Sequence, residues 1–372
     1  MNSACVETNT SARAQRFADI AASGPDATHG QGAGHVNIPP MLTLIVPGLI
    51  WTRQALADLT YDLPLPTFAT LLGRGRLMQH PPLGTAAILA EITGIAAPLP
   101  AAALRRLALR GDAGHDDWLC LDPVRLQFHD RSMIVDHPRH LQLDAAEAAA
   151  LAVSLAPTFA ELGQLEVLTP DTWNLRLANR APEFTALPDA AGRSAAPLPS
   201  GPAHAPWRSA INEAQMILHA HPVNLARESA GRPLVNSLWP WGAGQLPPAR
   251  VTAHDIVWGD DPVLRGIAQL FGIEGSVLPA RYPDTLPCNA LALVDALEQP
   301  ARTGDAIAWR DALAEFESSW LAPAHAALRA GRLDALRLVA PGDLGSAELH
   351  VRRRELWRFW RKPRALTELA PA

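Results

Sequence analysis

The chain has 372 residues, of which 48% are hydrophobic and 19% are charged, a globular balance with room for about two to three domains. Its formal net charge of −5 excludes a bulk attraction to nucleic acid or to an anionic membrane, so any such affinity would need a local patch. No apolar run is long enough to predict a membrane span and no secretory signal is evident, so we expect a cytoplasmic protein.

Three cysteines occur, Cys5, Cys120 and Cys288, and they lie far apart in the sequence. The number is odd and no CxxC motif is present, which argues against a disulfide framework and against a cysteine-rich zinc site. We therefore expect reduced thiols that pack as small apolar side chains.

The chain opens with residues 1–39, which are rich in Ser, Ala, Gly, Thr and His and have no sustained apolar period; we expect a disordered leader. The apolar run at 42–46 then predicts a buried strand, because Pro47 and Gly48 stop it with a sharp turn. Strands and helices alternate after this point, which predicts an α/β protein with a mostly parallel sheet and helices on both faces. Helices are predicted at 66–72, 101–110, 144–162, 207–219, 262–271 and 306–328, and short strands at 165–168, 290–294 and 336–340.

The middle of the chain contains a stretch, 178–206, that is rich in Pro, Ala and Gly and indicates a linker or long loop. It separates an N-terminal part of the α/β core with an inserted region, 40–177, from a C-terminal part, 207–350. Within the first part, Pro157 should kink or split the helix predicted at 144–162.

The final segment, 351–372, carries several arginines with aromatic residues between them. At helical spacing Leu356, Phe359 and Trp360 share one face and the arginines largely occupy the other, which predicts a helix docked by its apolar face. The alternative is a basic, aromatic surface that binds nucleic acid or an acidic partner.

One block of the sequence has a specific pattern, with HPVNLAR at 221–227 and NSLWPWGAG at 236–244. It resembles the HPxNxxR segment and the following loop of the archaeal-type cofactor-independent phosphoglycerate mutases, a branch of the alkaline-phosphatase superfamily. Segments 122–124 and 236–239 are also similar to a bacterial subgroup of uncharacterised or regulatory proteins. The resemblance spans residues 40–350, and other segments similar to the family, in the same order, lie at 42–48, 65–75 and 309–338.

The resemblance implies an alkaline-phosphatase-like sheet with an inserted smaller cap-like region, two divalent metal ions, often Mn²⁺ or Zn²⁺, and a Ser or Thr nucleophile. Two metal ions neutralise the nucleophile and the phosphoryl oxygens during in-line displacement, so carboxylates and imidazoles must converge on them. Several positions that match the family's ligands carry other side chains here: Pro47 in place of an Asp, Ala86 after Thr85, Gln299 after Asp295, and Leu344 after Asp343.

These departures predict that the chain holds no metal ion or other cofactor, with a divalent metal, Mn or Zn, as the alternative. Thr85 matches the family's nucleophile and is the candidate catalytic residue. Asp295, Asp343 and His350 are the weak candidates for metal ligands.

The block from 212 to 244 supplies the candidate ligand-binding residues. Glycines let the backbone approach a ligand, tryptophans exclude solvent, and a guanidinium suits phosphate or carboxylate. The structural alternatives are a buried loop that braces the sheet and a surface ion pair of Arg227. The candidates are Asn212, Asn224, Arg227, Asn236, Trp239, Trp241, Gly242 and Gly244.

Three hypotheses follow for function. The favoured one is a phosphoglycerate mutase-like protein that has lost metal-dependent phosphoryl transfer and serves as a ligand-sensing or protein-binding, regulatory module. The second is an active mutase or phosphatase that acts on a small phosphorylated metabolite through Thr85. The third is a nucleic-acid-associated protein that uses the Arg/Trp tail. The partners expected are a small anionic or phosphorylated ligand and a protein; a membrane is not expected.

Overall fold

The computed structural model describes residues 40–129, 132–192, 201–248, 251–284, 286 and 288–371, so the leader predicted at 1–39 and Cys5 lie outside the described residues. The strands in this part of the chain are β1 (Met41–Ile45), β2 (Arg76–His80), β3 (Trp118–His129), β4 (Ser132–Asp136), β5 (Gly163–Thr169), β6 (Thr172–Leu177), β7 (Ser237–Gly244), β8 (Ile256–Trp258), β9 (Glu274–Ser276), β10 (Ala290–Leu293), β11 (Ala335–Ala340) and β12 (Ser346–Arg352). The α-helices are α1 (Arg53–Thr60), α2 (Pro66–Arg74), α3 (Thr85–Thr93), α4 (Ala101–Arg110), α5 (Ala145–Leu155), α6 (Leu187–Ala190), α7 (Ala205–His219), α8 (Pro222–Ser229), α9 (Pro262–Phe271), α10 (Glu298–Thr303), α11 (Ala306–Phe316) and α12 (Ala322–Ala330).

The main sheet has seven strands in the order β2-β12-β11-β1-β10-β8-β9, with β1 at its centre. All neighbours pair in parallel except around β12, which is antiparallel to both β11 and β2. Leu42 and Leu44 of β1 pack in one core cluster and Ile45 packs in another, so both faces of the central strand are covered. Because both of its faces are buried, this strand is almost entirely apolar. The sheet confirms the predicted α/β fold, with a mostly parallel sheet and helices on both faces.

A second sheet contains β3 to β7, and all its described pairings are antiparallel. Trp173 of β6 and Phe159 are fully buried beneath it, in a cluster that also includes residues of α5 and α7. The two sheets meet where α4 packs against α9, at a contact close enough that Gly266 has no room for a side chain beside the Leu104 carbonyl.

Proline positions account for two helix breaks. The helix predicted at 144–162 is divided into α5 and a 3-10 turn at Ala156–Phe159, as expected from Pro157. The helix predicted at 306–328 is interrupted by a π turn at Glu317–Leu321, which the sequence pattern did not predict. Pro323 has no N–H, and the carbonyl of Ser319 accepts a hydrogen bond from the Tyr282 N–H at 2.8 Å instead.

Two further predictions differ from the structure. Residues Ser237–Gly244, expected as a loop, form β7, which pairs with β3; Pro240 is tolerated there because an edge strand does not need every N–H. The expected C-terminal helix is replaced by the end of β12, where Val351 and Arg352 still pair with β11, and by a 3-10 helix at Arg353–Trp357. Of the apolar face predicted to dock, only Leu356 is buried, whereas Phe359 and Trp360 are exposed. Among the described residues, no helix combines the length and apolar character needed to cross a membrane.

Candidate functional site

A cleft with a volume of about 290 Å³ opens where β1 and β11 end, beside the N-terminus of α3. Open α/β sheets leave backbone groups and helix N-termini unpaired at this edge, which makes it a common ligand position. Two sequence-predicted residues, Thr85 and Asp343, lie together in the cleft. Its lining consists of Pro47, Gly48, Ile50, Trp51, Thr52, Gly84, Thr85, Asp189, Glu298, Ala301, Arg302, Pro341, Gly342, Asp343 and Leu344.

The N-terminus of α3 faces a carboxylate of the protein itself. Thr85 is the first residue of this nine-residue helix, and Gly84 is its N-cap without a side-chain capping bond. Both oxygens of Asp189, in α6, lie so close to Gly84 that position 84 has no room for a side-chain carbon. The positive end of the helix dipole therefore already has a negative charge beside it.

Arg302 links the two helices, α6 and α10, that form one wall of the cleft. Its guanidinium donates hydrogen bonds to the carbonyls of Ala191, at 2.7 Å, and Pro188, and to the carboxylate of Glu298 one helical turn earlier. Burial raises the pKa of Glu298, while the charge and hydrogen bond of Arg302 oppose that rise. The guanidinium thus fixes α6 against α10 and holds Asp189 at Gly84.

Two buried donors in the cleft wall have no hydrogen-bond partner among the described residues: Nε1 of Trp51 and Nε of Arg302. The Trp51 ring is held edge-on against Trp309, with the ring centroids 5.7 Å apart. A buried unpaired N–H is unfavourable, by about 1–3 kcal/mol. Both groups belong to residues that line the cleft and are donors that the described part of the protein leaves unused, although each is closed off from solvent.

The remaining predicted metal ligands do not join Thr85 and Asp343. Asp295 follows β10 and is absent from the lining of the cleft; burial raises its pKa, and the carboxylates of Asp260 and Asp261 raise it further. His350 lies within β12, opposite Arg337, and its Nε2 contacts the carboxylate of Glu348. Burial alone would raise the pKa of Glu348, but hydrogen bonds from His350 and Arg337 lower it to about 2.

The residues therefore do not fit a two-metal centre. Across the part of the chain that the structure describes, no group of three or more His, Cys, Asp or Glu side chains is arranged to hold a metal ion. Pro47 lines the cleft at the end of β1, where it offers no side-chain ligand.

The predicted asparagine and arginine ligands bind the protein's own backbone and side chains. Asn224 is buried and donates to the carbonyls of Leu218 and Val235, each at 2.7 Å. Asn236 bonds both the N–H and the carbonyl of Leu126 in β3, at 2.7 and 2.8 Å. Asn212 is exposed on α7. These contacts favour a structural role for Asn224 and Asn236.

Arg227 has all three of its guanidinium nitrogens bonded. Nε donates to the Pro233 carbonyl at 2.7 Å, one terminal nitrogen donates to Glu147 at 2.7 Å, and the other donates to the Leu141 carbonyl. Arg232 contacts the same carboxylate at 2.9 Å. The ion pair of Arg227 is thus buried and made with Glu147, and is not the surface ion pair that the sequence left as the structural alternative.

The two tryptophans of β7 differ in their surroundings. Trp239 donates from Nε1 to the Thr185 carbonyl at 2.9 Å and is buried. Trp241 donates to Asp122 at 2.8 Å and lines a separate cavity of about 210 Å³ with Arg105. Asp122 also pairs with Arg105 at 2.8 Å, and that guanidinium lies 5.3 Å from the Trp241 ring centroid.

Gly242 and Gly244 have positive φ angles, 61° and 146°, and lie against Ala101 and Pro100. They allow β7 to approach the start of α4, and both line another depression in the surface. The block from 212 to 244 therefore stands apart from the cleft that holds Thr85 and Asp343.

Four of the cleft residues that carry its charges and unpaired donors were not predicted from the sequence: Trp51, Asp189, Glu298 and Arg302. Asp189 lies in the stretch interpreted as a linker, and nothing local marks Trp51. The spacing of Glu298 and Arg302, four residues apart, is a sequence signal for an ion pair on one face of a helix.

No protein-family description matches the chain, and no curated protein matches it. Among solved structures, the cofactor-independent phosphoglycerate mutase from Thermoplasma acidophilum is similar at 15% identity with a TM-score of 0.48, over 90% of this chain and 95% of that chain. The PH0037 protein from Pyrococcus horikoshii is similar at 14% identity with a TM-score of 0.46, over 84% and 87% of the two chains. These are distant likenesses and assign no activity to this chain.

Proposed function

We propose that this is a phosphoglycerate mutase-like protein that has lost metal-dependent phosphoryl transfer and that senses a small polar ligand in the cleft at the ends of β1 and β11. The observation that carries the proposal is the separation of the candidate ligands: Thr85 and Asp343 line the cleft, whereas His350 contacts Glu348 on β12. A two-metal mechanism needs carboxylates and imidazoles that converge on both ions, and the position of His350 outside the lining of the cleft argues against such convergence.

The charge of the cleft favours a ligand other than a phosphate. The lining contains the carboxylates of Asp189, Glu298 and Asp343 and the single guanidinium of Arg302. Both terminal nitrogens of that guanidinium are already bonded within the protein. A phosphate placed here would meet several carboxylates at short range, where like charges repel strongly.

The ligand class that suits these groups is a small amine- or hydroxyl-bearing compound. Ionised carboxylates only accept hydrogen bonds, so they match ammonium and hydroxyl donors. The unpaired N–H groups of Trp51 and Arg302 would bind an acceptor atom of the same compound. An amino acid or a polyol combines both kinds of group.

The test is a thermal-shift screen of the purified protein with amino acids, polyamines, polyols and phosphate monoesters. We expect an amine or polyol to raise Tm by several degrees near saturation, since ligand at 100 times its Kd stabilises by about 2.7 kcal/mol. Asp343→Asn should abolish the shift, and Glu91→Gln, an exposed acid on α3, should retain it. A shift produced by phosphate monoesters alone would contradict the proposed ligand class.

A phosphoryl-transfer enzyme is the second candidate, and one observation favours it. Thr85 is the first residue of α3 and lines the cleft beside Asp343, a position from which a hydroxyl could attack a bound phosphoryl group. For this, Asp189 would have to move away from Gly84. Turnover of a phosphomonoester that needs both a divalent metal and Thr85 would favour this candidate.

A further inference from the structure

The C-terminal segment presents an aromatic and basic protrusion at residues 357–362, here called the aromatic tip. Its three aromatic side chains are strongly exposed: Trp357 by 74%, Phe359 by 78% and Trp360 by 68%. The rings of Phe359 and Trp360 are in contact, and Trp357 lies two residues before Phe359. Clustered exposed aromatics are unfavourable in water and mark interaction sites. The tip thus differs from the isolated exposed side chains found elsewhere on the surface.

Both ends of the aromatic tip are fixed to the body of the protein. Leu356 and Leu366, on either side of it, belong to the main core cluster. Gly73 of α2 lies directly against the carbonyl of Lys362, and Arg74 donates to the Leu356 carbonyl at 3.0 Å. The backbone of the tip is therefore anchored on both sides, which lowers the ordering entropy that binding has to overcome.

The segment around the tip is strongly basic on a chain whose net charge is −5. Residues 352–364 contain seven Arg and Lys residues and one acid, Glu355. That acid is paired with Arg358 at 3.1 Å, whereas Arg354, Arg361 and Lys362 are exposed. The patch is thus complementary to an anionic partner.

We propose that the aromatic tip is a docking site for an acidic segment of a partner protein, which goes beyond the ligand site in the cleft. Carboxylates of the partner would pair with the guanidinium groups, which bind them in a bidentate fork, and its apolar side chains would cover the rings. Trp and Arg are also the residue types that contribute most binding energy at protein interfaces.

Two other occupants fit the geometry less well. The rings of Phe359 and Trp360 meet edge to face, 5.4 Å apart at 80°, so they do not offer parallel faces on which successive nucleic-acid bases would stack. A second copy of this chain joined tip to tip by a two-fold axis would place like charges against each other.

The test measures fluorescence anisotropy of a labelled peptide of alternating Glu and Leu, titrated with the full chain at low ionic strength. We expect saturable binding that weakens at least about tenfold, or about 1.4 kcal/mol, in Trp357→Ala/Trp360→Ala and in Arg361→Ser/Lys362→Ser. A peptide with Gln in place of Glu should not bind. The matched control is Arg53→Ser/Tyr61→Ala, an exposed cation and aromatic on and beside α1, which should bind like the unaltered chain.

The tip variants should keep the Tm of the unaltered chain within a few degrees, because exposed substitutions change stability by about 0.5 kcal/mol or less. Absence of peptide binding, or binding that both double variants retain, would overturn the proposal. Tighter binding of oligothymidylate or of phosphatidylserine vesicles, lost in the same variants, would also overturn it, as would self-association that depends on the tip.

Discussion

At the scale of single residues, two buried arginines are neutralised by carboxylates that lie well away from them in the sequence. Arg227 is only 1% exposed and pairs with Glu147, 80 residues earlier. Arg105 is buried against Asp122, and the Trp241 indole shares that carboxylate. Such arginines resemble anion-binding residues in the sequence because a one-dimensional pattern does not show the acid that the fold brings to them.

A substitution at Arg227 distinguishes an anion clamp from a structural ion pair. We expect Arg227→Met to lower the free energy of unfolding by about 3–5 kcal/mol, because two backbone carbonyls lose their donor and the largely buried carboxylate of Glu147 keeps only Arg232 as a charged partner. Urea denaturation measures this. The control is Arg232→Met. The Arg232 side chain contacts the same Glu147 but is 38% exposed, so its loss should lower the free energy of unfolding by about 1 kcal/mol or less. Equal, small losses for both variants would contradict the structural role.

At the scale of elements, apolar periodicity located the three central strands of the main sheet, β11, β1 and β10, and the helices of ten or more residues. Both faces of those three strands are buried, whereas the outer strands β2 and β9 are largely exposed and were not predicted. Periodicity also failed where a single residue or a distant strand decided the structure. Pro323 interrupts the helix that the spacing of Trp309, Leu313 and Phe316 predicts as continuous. Ser237–Gly244 is a strand because β3 pairs with it, and β3 begins more than a hundred residues earlier.

The candidate site was predictable only in part. Thr85 and Asp343 were found by resemblance to a family motif, and the structure places both in one cleft. Asp189 and Trp51 were not predicted, because their positions depend on tertiary contacts of α6 and α1. The separation of His350 from the cleft follows from the register of β12 on β11, which pairs His350 with Arg337.

A buried histidine, His254, should make the stability of the fold depend on pH. His254 precedes β8 and is 4% exposed, with Nε2 at 3.3 Å from the hydroxyl of Thr43 in β1. Burial lowers the pKa of His254 from 6.5 to about 4, and the charge of Arg337 adds to this effect, while Asp255 opposes it. As the pH falls, the unfolded chain therefore binds this proton at a higher pH than the folded chain does. The stability that neutral His254 contributes is fully present above pH 6.5 and is lost as the pH falls towards 4.

Between pH 7 and 4.5, we expect the free energy of unfolding to fall by about 2–3 kcal/mol more in the unaltered chain than in His254→Gln. The reason is that the variant has no titratable group at position 254. Urea denaturation at the two pH values gives this difference directly. His219→Gln, an exposed histidine at the end of α7, is the control and should behave like the unaltered chain. Parallel pH profiles for the unaltered chain and His254→Gln would show that His254 is not the acid-sensitive group.

At the scale of the whole molecule, α6 connects the two sheets at the edge where the cleft lies. Arg302 of the main-sheet lobe binds the carbonyls of Pro188 and Ala191, and the N–H of Gly192 donates to Val135 of β4 at 2.8 Å. Asp189 is therefore held at Gly84 by contacts from both lobes. This edge of the main sheet therefore carries an internal carboxylate beside a helix N-terminus.

The most direct measurement is the rate at which the purified protein converts 3-phosphoglycerate or releases phosphate from it in the presence of Mn²⁺ or Zn²⁺, compared with Thr85→Ala. The proposed loss of phosphoryl transfer predicts that both proteins show the same background rate with and without metal. Metal-dependent turnover by the unaltered chain that Thr85→Ala lowers by about 10³-fold or more would contradict it, since removal of a nucleophile has effects of that size.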